Sequence, residues 1–133
     1  MNQPSEDIKS MLVADTPLGL TFATNLFIND EPTKPDNCVT IFDSPGFPPS
    51  LSLDGSKGYE SPSVQIRVRN NSSKTGWTLI QNIMISLHGR AQQTWGGTLY
   101  TVIYCSSGPT LLDWDGNGNA RFIVNFNLQR RVA

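Results

Sequence analysis

Two stretches of this chain alternate cleanly between apolar and polar positions. Val64, Ile66 and Val68 interleave with Gln65, Arg67 and Arg69, and Phe122, Val124, Phe126 and Leu128 run opposite Asn125, Asn127 and Gln129. A period of two is that of a strand with one face buried, so the apolar sets point to the core and the polar sets away from it. Tyr100, Val102 and Tyr104 predict a third strand, and residues 38–42 a short buried one. Phe22, Phe27 and Ile28 suggest another over residues 21–28, with poorer alternation. Ile8, Met11 and Leu12 share one side of a helix over residues 6–14; Ser5 is placed to cap it, with Glu6 and Asp7 at its positive end. Trp77, Ile80, Met84 and Leu87 form the stripe of a second helix over residues 74–88, capped by Ser72 or Ser73 and ended by Gly89.

Between these elements the pattern breaks twice. Residues 43–62 carry Pro45, Gly46, Pro48, Pro49, Gly55, Gly58 and Pro62, and predict a long, flexible loop without regular structure. A shorter loop rich in Gly, Pro and Asp joins the last two strands. The whole predicts a single α+β domain over residues 1–133, in which an antiparallel or mixed sheet packs against two helices. Polar alternation argues against a parallel sheet covered on both faces.

Composition narrows the classes. Of the 133 residues 38% are apolar and 16% charged, a globular balance. Ten basic side chains against 11 acidic ones give a net charge of -1, without the basic excess that phosphate contacts demand. No apolar run approaches the roughly 20 residues that span a bilayer, and the N-terminus lacks the features of a signal peptide, so the expected compartment is the cytoplasm. There Cys38 and Cys105 are expected as free, buried thiols.

Candidate chemistry is sparse. Asp113, Asp115 and Asn117 followed by Gly118 match the opening of a calcium loop, but Val124 stands where the bidentate glutamate belongs. A tight Asp/Asn/Gly turn accounts for the same residues. His88, the only histidine, is expected to serve the carbonyls at its helix end. Neither a Cys-x-x-Cys pair nor a phosphate-binding glycine loop is present. No catalytic residue, cofactor or metal site is therefore expected. Trp77 reads as core, while Trp95 and Trp114 fall in loop contexts where each can anchor a contact.

Three segments carry a resemblance. They are Leu26-Phe27-Ile28 with residues 35–43 and then Gly46, Pro48 and Pro49; residues 59–69, with Pro62, Val64, Gln65, Arg67 and Arg69; and Asp115-Gly116-Asn117-Gly118 running into residues 122–126. In this order and spacing the chain resembles the phage minor capsid proteins that act as tail terminators, from its first helix to Arg131. Asn119, where the pattern has a basic residue, and the insertion over residues 50–57 depart from it. The resemblance implies a structural, non-enzymatic virion protein at the tail-neck junction, assembled in the host cytoplasm. It implies a homohexameric ring that binds the last ring of tail tube protein, stops polymerisation and presents its other face to the head-tail connector protein. DNA would pass through the bore without specific binding, and no membrane is involved. The rival roles are a head-completion or connector subunit of the neck and, further off, a cytoplasmic calcium- or ligand-binding module. On this reading Gln65, Arg67 and Arg69 face a neighbouring subunit or the bore. Phe47, Leu51, Leu53 and Tyr59 supply apolar anchors for residues 43–62 as an assembly arm.

Overall fold

The computed structural model describes residues 1–49 and 58–132. In chain order these form α1 (Pro4–Ala14), a 3-10 turn (Thr16–Leu18), β1 (Leu26–Ile28), β2 (Cys38–Phe47), β3 (Tyr59–Asn70), α2 (Ser73–Leu87), β4 (Arg90–Trp95), β5 (Thr98–Trp114) and β6 (Ala120–Arg131). The strands make one six-stranded sheet in the order β1-β2-β3-β6-β5-β4. β1 runs parallel to β2 and every other pair is antiparallel, so the sheet is mixed. Both helices pack on one face of the sheet. The fold is α+β, as the alternation predicts.

The core lies between that face and the helices. Val64, Ile66 and Val68 on β3, with Val124, Phe126 and Leu128 on β6, are buried against Ile8, Met11 and Leu12 of α1 and Ile80, Ile83 and Leu87 of α2. Ile66 has no exposed surface. Ile66→Ala is expected to lower the unfolding free energy by about 2–5 kcal/mol, because the methylenes removed leave a cavity that a sheet cannot close. Urea unfolding followed by circular dichroism reads this directly, and a loss under about 1 kcal/mol would contradict the packing.

α2 is rotated by about one position from the expected stripe. Gly76, Ile80, Ile83 and Leu87 are its buried residues, whereas Met84 is only half-buried and Trp77 is 38% exposed. Gly76 sets this rotation: a Cβ there would lie 3.0 Å from the Phe122 ring. The glycine lets the helix backbone settle on Phe122, and Trp77 is carried to the rim, its ring 5.8 Å from that of Phe122. Ser72 caps this helix as predicted, accepting from the Thr75 amide at 3.3 Å. Ser5 does not cap α1. It lies buried inside the first turn, where its amide (3.0 Å) and hydroxyl (2.6 Å) both donate to Asp43 of β2, so a carboxylate from the sheet stabilises the helix N-terminus.

Among the described residues, strand reaches into both expected loops. β2 continues to Phe47 and β3 begins at Tyr59, because a register shift between Ser44 and Phe47 absorbs Pro45 and Gly46. At Gly46 a Cβ would fall 2.0 Å from the Ser61 carbonyl oxygen, so only glycine permits this approach. β5 runs on to Trp114 along β6, slipping register at four places. Gly108 and Pro109 sit where pairing skips from Ser107 to Thr110, which spares the missing proline N–H. β4 carries no signature in the sequence, since Arg90-Ala-Gln-Gln-Thr-Trp95 has no apolar alternation. It is an edge strand joined to β5 by Gly96 and Gly97, both at positive φ, the two-residue turn that suits the twist of a hairpin. In the span 21–28 only Leu26–Ile28 is strand.

Candidate assembly surfaces

The sheet face away from the helices is where the polar residues of β3 and β6 emerge. Ser63 donates to Asn127 at 2.6 Å and Gln65 to Asn125 at 3.2 Å, cross-strand pairs that hold the two central strands together. Arg67 donates to Gln65 at 2.9 Å and lies 4.8 Å from the centre of the Phe42 ring, half-buried and still reachable. Arg69 is different. Only 7% exposed, it donates to the carbonyls of Pro32 (2.6 Å), Pro35 (2.7 Å), Asp36 (3.0 Å) and Thr33 (3.3 Å), and to Glu31 at 3.2 Å. The expectation that Arg69 faces a neighbour or the bore is therefore corrected: the strap of residues 31–36 lies over it, and its donors are consumed within the chain. Glu31 is the key of this strap, with Arg67 (3.8 Å) and Arg121 (3.3 Å) also on its carboxylate. A glutamate next to Asp30 and just ahead of Pro32, in a segment that reads as a turn, gives no signal of this role.

The Asp/Asn/Gly segment is a turn. Asp115 accepts from the amides of Asn117 and Asn119, both at 2.9 Å, and the Asn119 amide hydrogen bond is the main cause that holds its carboxyl below the usual range. Asp113 grips Arg121 through two 2.6 Å hydrogen bonds, and that pairing depresses its carboxyl as well. The carboxylate oxygens of Asp113 and Asp115 that a calcium ion would need are engaged by Arg121 and by the turn. The His88 backbone amide donates to the Met84 carbonyl at 2.9 Å, but its side chain does not serve the helix carbonyls. Its Nδ1 accepts from the Cys105 amide at 2.9 Å, tying the end of α2 to β5, while Arg90 takes the Ser86 carbonyl at 2.8 Å. Both cysteines are free; Cys38 is buried and Cys105 half-buried. Trp95 donates to Gln93 at 3.0 Å within its own strand.

Besides scattered exposed side chains such as Ile85 and Phe22, two apolar sites lie on opposite sides of the sheet. On one, α2 and β5 border an open groove of about 620 Å³ lined by Trp77, Pro109, Leu111 and Phe122, with Lys74 at its edge. Leu111 is 46% exposed, and Trp114, 54% exposed, follows it along β5. Trp114 is a contact anchor the sequence already offers, whereas Pro109 and Leu111 carry no signal there because their segment reads as loop. On the other side, Phe47 ends β2 and is 74% exposed. Tyr59 is half-buried, its ring 6.0 Å from the Arg131 guanidinium. Leu51 and Leu53 lie outside the described residues. Among the described residues no strand pairs with β5 on its outer edge beyond Ile103, nor with β2 beyond Ile41.

A sheet with one face under helices, a polar opposite face and, among the described residues, two open edges, with Asp113, Asp115, Glu31 and Arg69 tied into turns and a strap, has the character of a structural subunit. Residues 7–132 match the family model described as bacteriophage tail terminator protein. The chain belongs to that family, and is a structural protein of the phage tail and a virion component. Among solved structures, a chain described as "Virion of native gene transfer agent (GTA) particle" is similar over 98% of this chain and 96% of its own, with a TM-score of 0.68 and 13% identity. A second solved chain aligns over 98% of both chains with a TM-score of 0.59 and 12% identity. At such identities the likeness is one of fold. No curated protein matches the sequence.

Proposed function

We propose that this chain closes into a ring of six on the end of the tail tube, stops tube polymerisation, and offers its far face to the head-tail connector. The observation that carries this reading is the tail terminator match across residues 7–132. The sheet supports it: its two open edges, on β2 and β5, are different surfaces on opposite sides of the subunit. Contact between unlike surfaces is heterologous, and repeated around an axis it closes a ring, whereas a single self-matching surface would stop at a dimer. The polar sidechains of β3 and β6, with the net charge of -1, suit a bore that lets DNA slide without holding its phosphates.

Purified protein, alone at high concentration and with tube protein, is expected to give closed six-membered rings in electron micrographs and the matching mass by light scattering. Dimers under every condition would overturn the ring. Tails assembled without this protein are expected to be abnormally long and headless. Tubes of normal length lacking only heads would instead assign the chain to the connector side of the neck.

A further inference from the structure

The ring reading leaves open which surfaces meet, and the two apolar sites differ in a way that matches them to each other. The groove between α2 and β5 is walled by an indole, a phenyl ring, a leucine and a proline, with few polar atoms to satisfy. Such a groove takes an extended apolar segment whose conformation is already restricted, because little entropy is lost on docking. The chain carries one such segment in Phe47-Pro48-Pro49, three exposed residues at the end of β2. Proline holds φ near -65° at both following positions, so the phenyl ring is presented on a stiff corner.

Backbone pairing between the open edges is disfavoured. Pro45 on β2 and Pro109 on β5 each remove a ladder donor, a common guard against unwanted strand addition. Side-chain insertion has no such obstacle. Nor can a subunit fill its own groove. Phe47 borders a depression with Tyr104, Asn127 and Gln129 on the face away from the helices. The groove lies at the Phe122 end of β6 on the helix face. Gln129 and Phe122 are seven positions apart on one strand, about 23 Å at the strand rise.

We infer that the Phe47-Pro48-Pro49 corner of one copy docks in the Trp77–Leu111–Phe122 groove of the next copy, and that this contact joins neighbours in the ring. It rests on the ring reading. Each subunit gives one corner and one groove, so the contact is heterologous and every copy in a closed ring is satisfied.

The test uses the full chain under conditions where wild type forms rings with tube protein. Phe47→Ala and Leu111→Asp each change an exposed side chain and should keep the wild-type circular dichroism. Each is expected to abolish rings and weaken association roughly thirtyfold or more, the size of an interface hot spot. An equimolar mixture is the sharper readout, since the Phe47→Ala copy keeps a groove and the Leu111→Asp copy keeps a corner. The mixture should form a dimer that neither variant forms alone. A benzoylphenylalanine at position 47 should crosslink, in wild-type-like rings, to a peptide of another copy containing Trp77 or Leu111. If rings persist in both variants, or the crosslink maps elsewhere, the contact is wrong although the ring stands. If wild type forms no ring in any condition, the ring reading fails and this contact falls with it.

Discussion

Arg69→Glu is expected to leave little folded protein at 25 °C, and Arg69→Ala to lose about 3–5 kcal/mol of stability. The reason is the number of groups that depend on one buried guanidinium. Four main-chain carbonyls between Pro32 and Asp36 and the Glu31 carboxylate all accept from it. Alanine leaves the carbonyls without a donor beneath the strap, and glutamate adds a second carboxylate beside Glu31. A domain of this size has roughly 5–15 kcal/mol in total, so the charge reversal consumes most of it. Arg67→Ala provides the contrast. Its head is half-buried, its distance to Glu31 is 3.8 Å, and a change of about 1 kcal/mol or less is expected. Urea denaturation of the three variants separates the roles, and an Arg69→Ala protein within 1 kcal/mol of wild type would show that the strap is not held by this residue. A double Arg67/Arg69 reversal is therefore no test of a subunit contact, because it unfolds the subunit first.

Asp7→Ala is expected to cost about 3 kcal/mol, although Asp7 lies in the first turn of α1, where a carboxylate usually acts weakly on the helix dipole. It is 1% exposed and accepts from the Tyr100 hydroxyl and, at 3.0 Å, from Asn2. Behind Tyr100 stands Arg130, donating to the tyrosine oxygen at 3.3 Å and to the Asn2 carbonyl at 2.8 Å, and paired with Glu60. Burial, and then the hydrogen bond to Asp7, push the Tyr100 hydroxyl well above its ordinary pKa, so it stays a donor across the working pH range. Tyr100→Phe should cost about 1.5–3 kcal/mol. The double variant should lose less than the sum of the two, because both remove the same hydrogen bond; strict additivity in a double-mutant cycle would break the proposed link.

The faces of the strands were legible because burial on one side of a sheet imposes a period of two on neighbouring residues. β3 and β6 stand as their alternation predicts, and both helices form where their apolar spacing marks them, although α2 presents a face turned by one position. The surroundings of the candidate contact residues were legible only in part. Phe47 is exposed, and Gln65 and Arg67 stand on the outer face. Arg69 shares their parity but not their surroundings, since parity says which side a residue emerges on and nothing of what crosses over it.

By itself, then, the sequence determined the α+β class, the two helices and the inward sets of β3 and β6, all written in residues within a few positions of one another. Tertiary structure decided the rest. Residues 44–47 and 105–114 become strand against the local signals of proline and glycine, because β3 and β6 already stand beside them as templates and register shifts absorb the misfits. α2 turns by one position because Phe122, on a strand far along the chain, meets Gly76. Arg69 finds Glu31 across 38 positions and Asp7 finds Tyr100 across 93. A polar side chain carries the same donors whether it meets water, a neighbour or its own chain, and only the folded arrangement chooses among them.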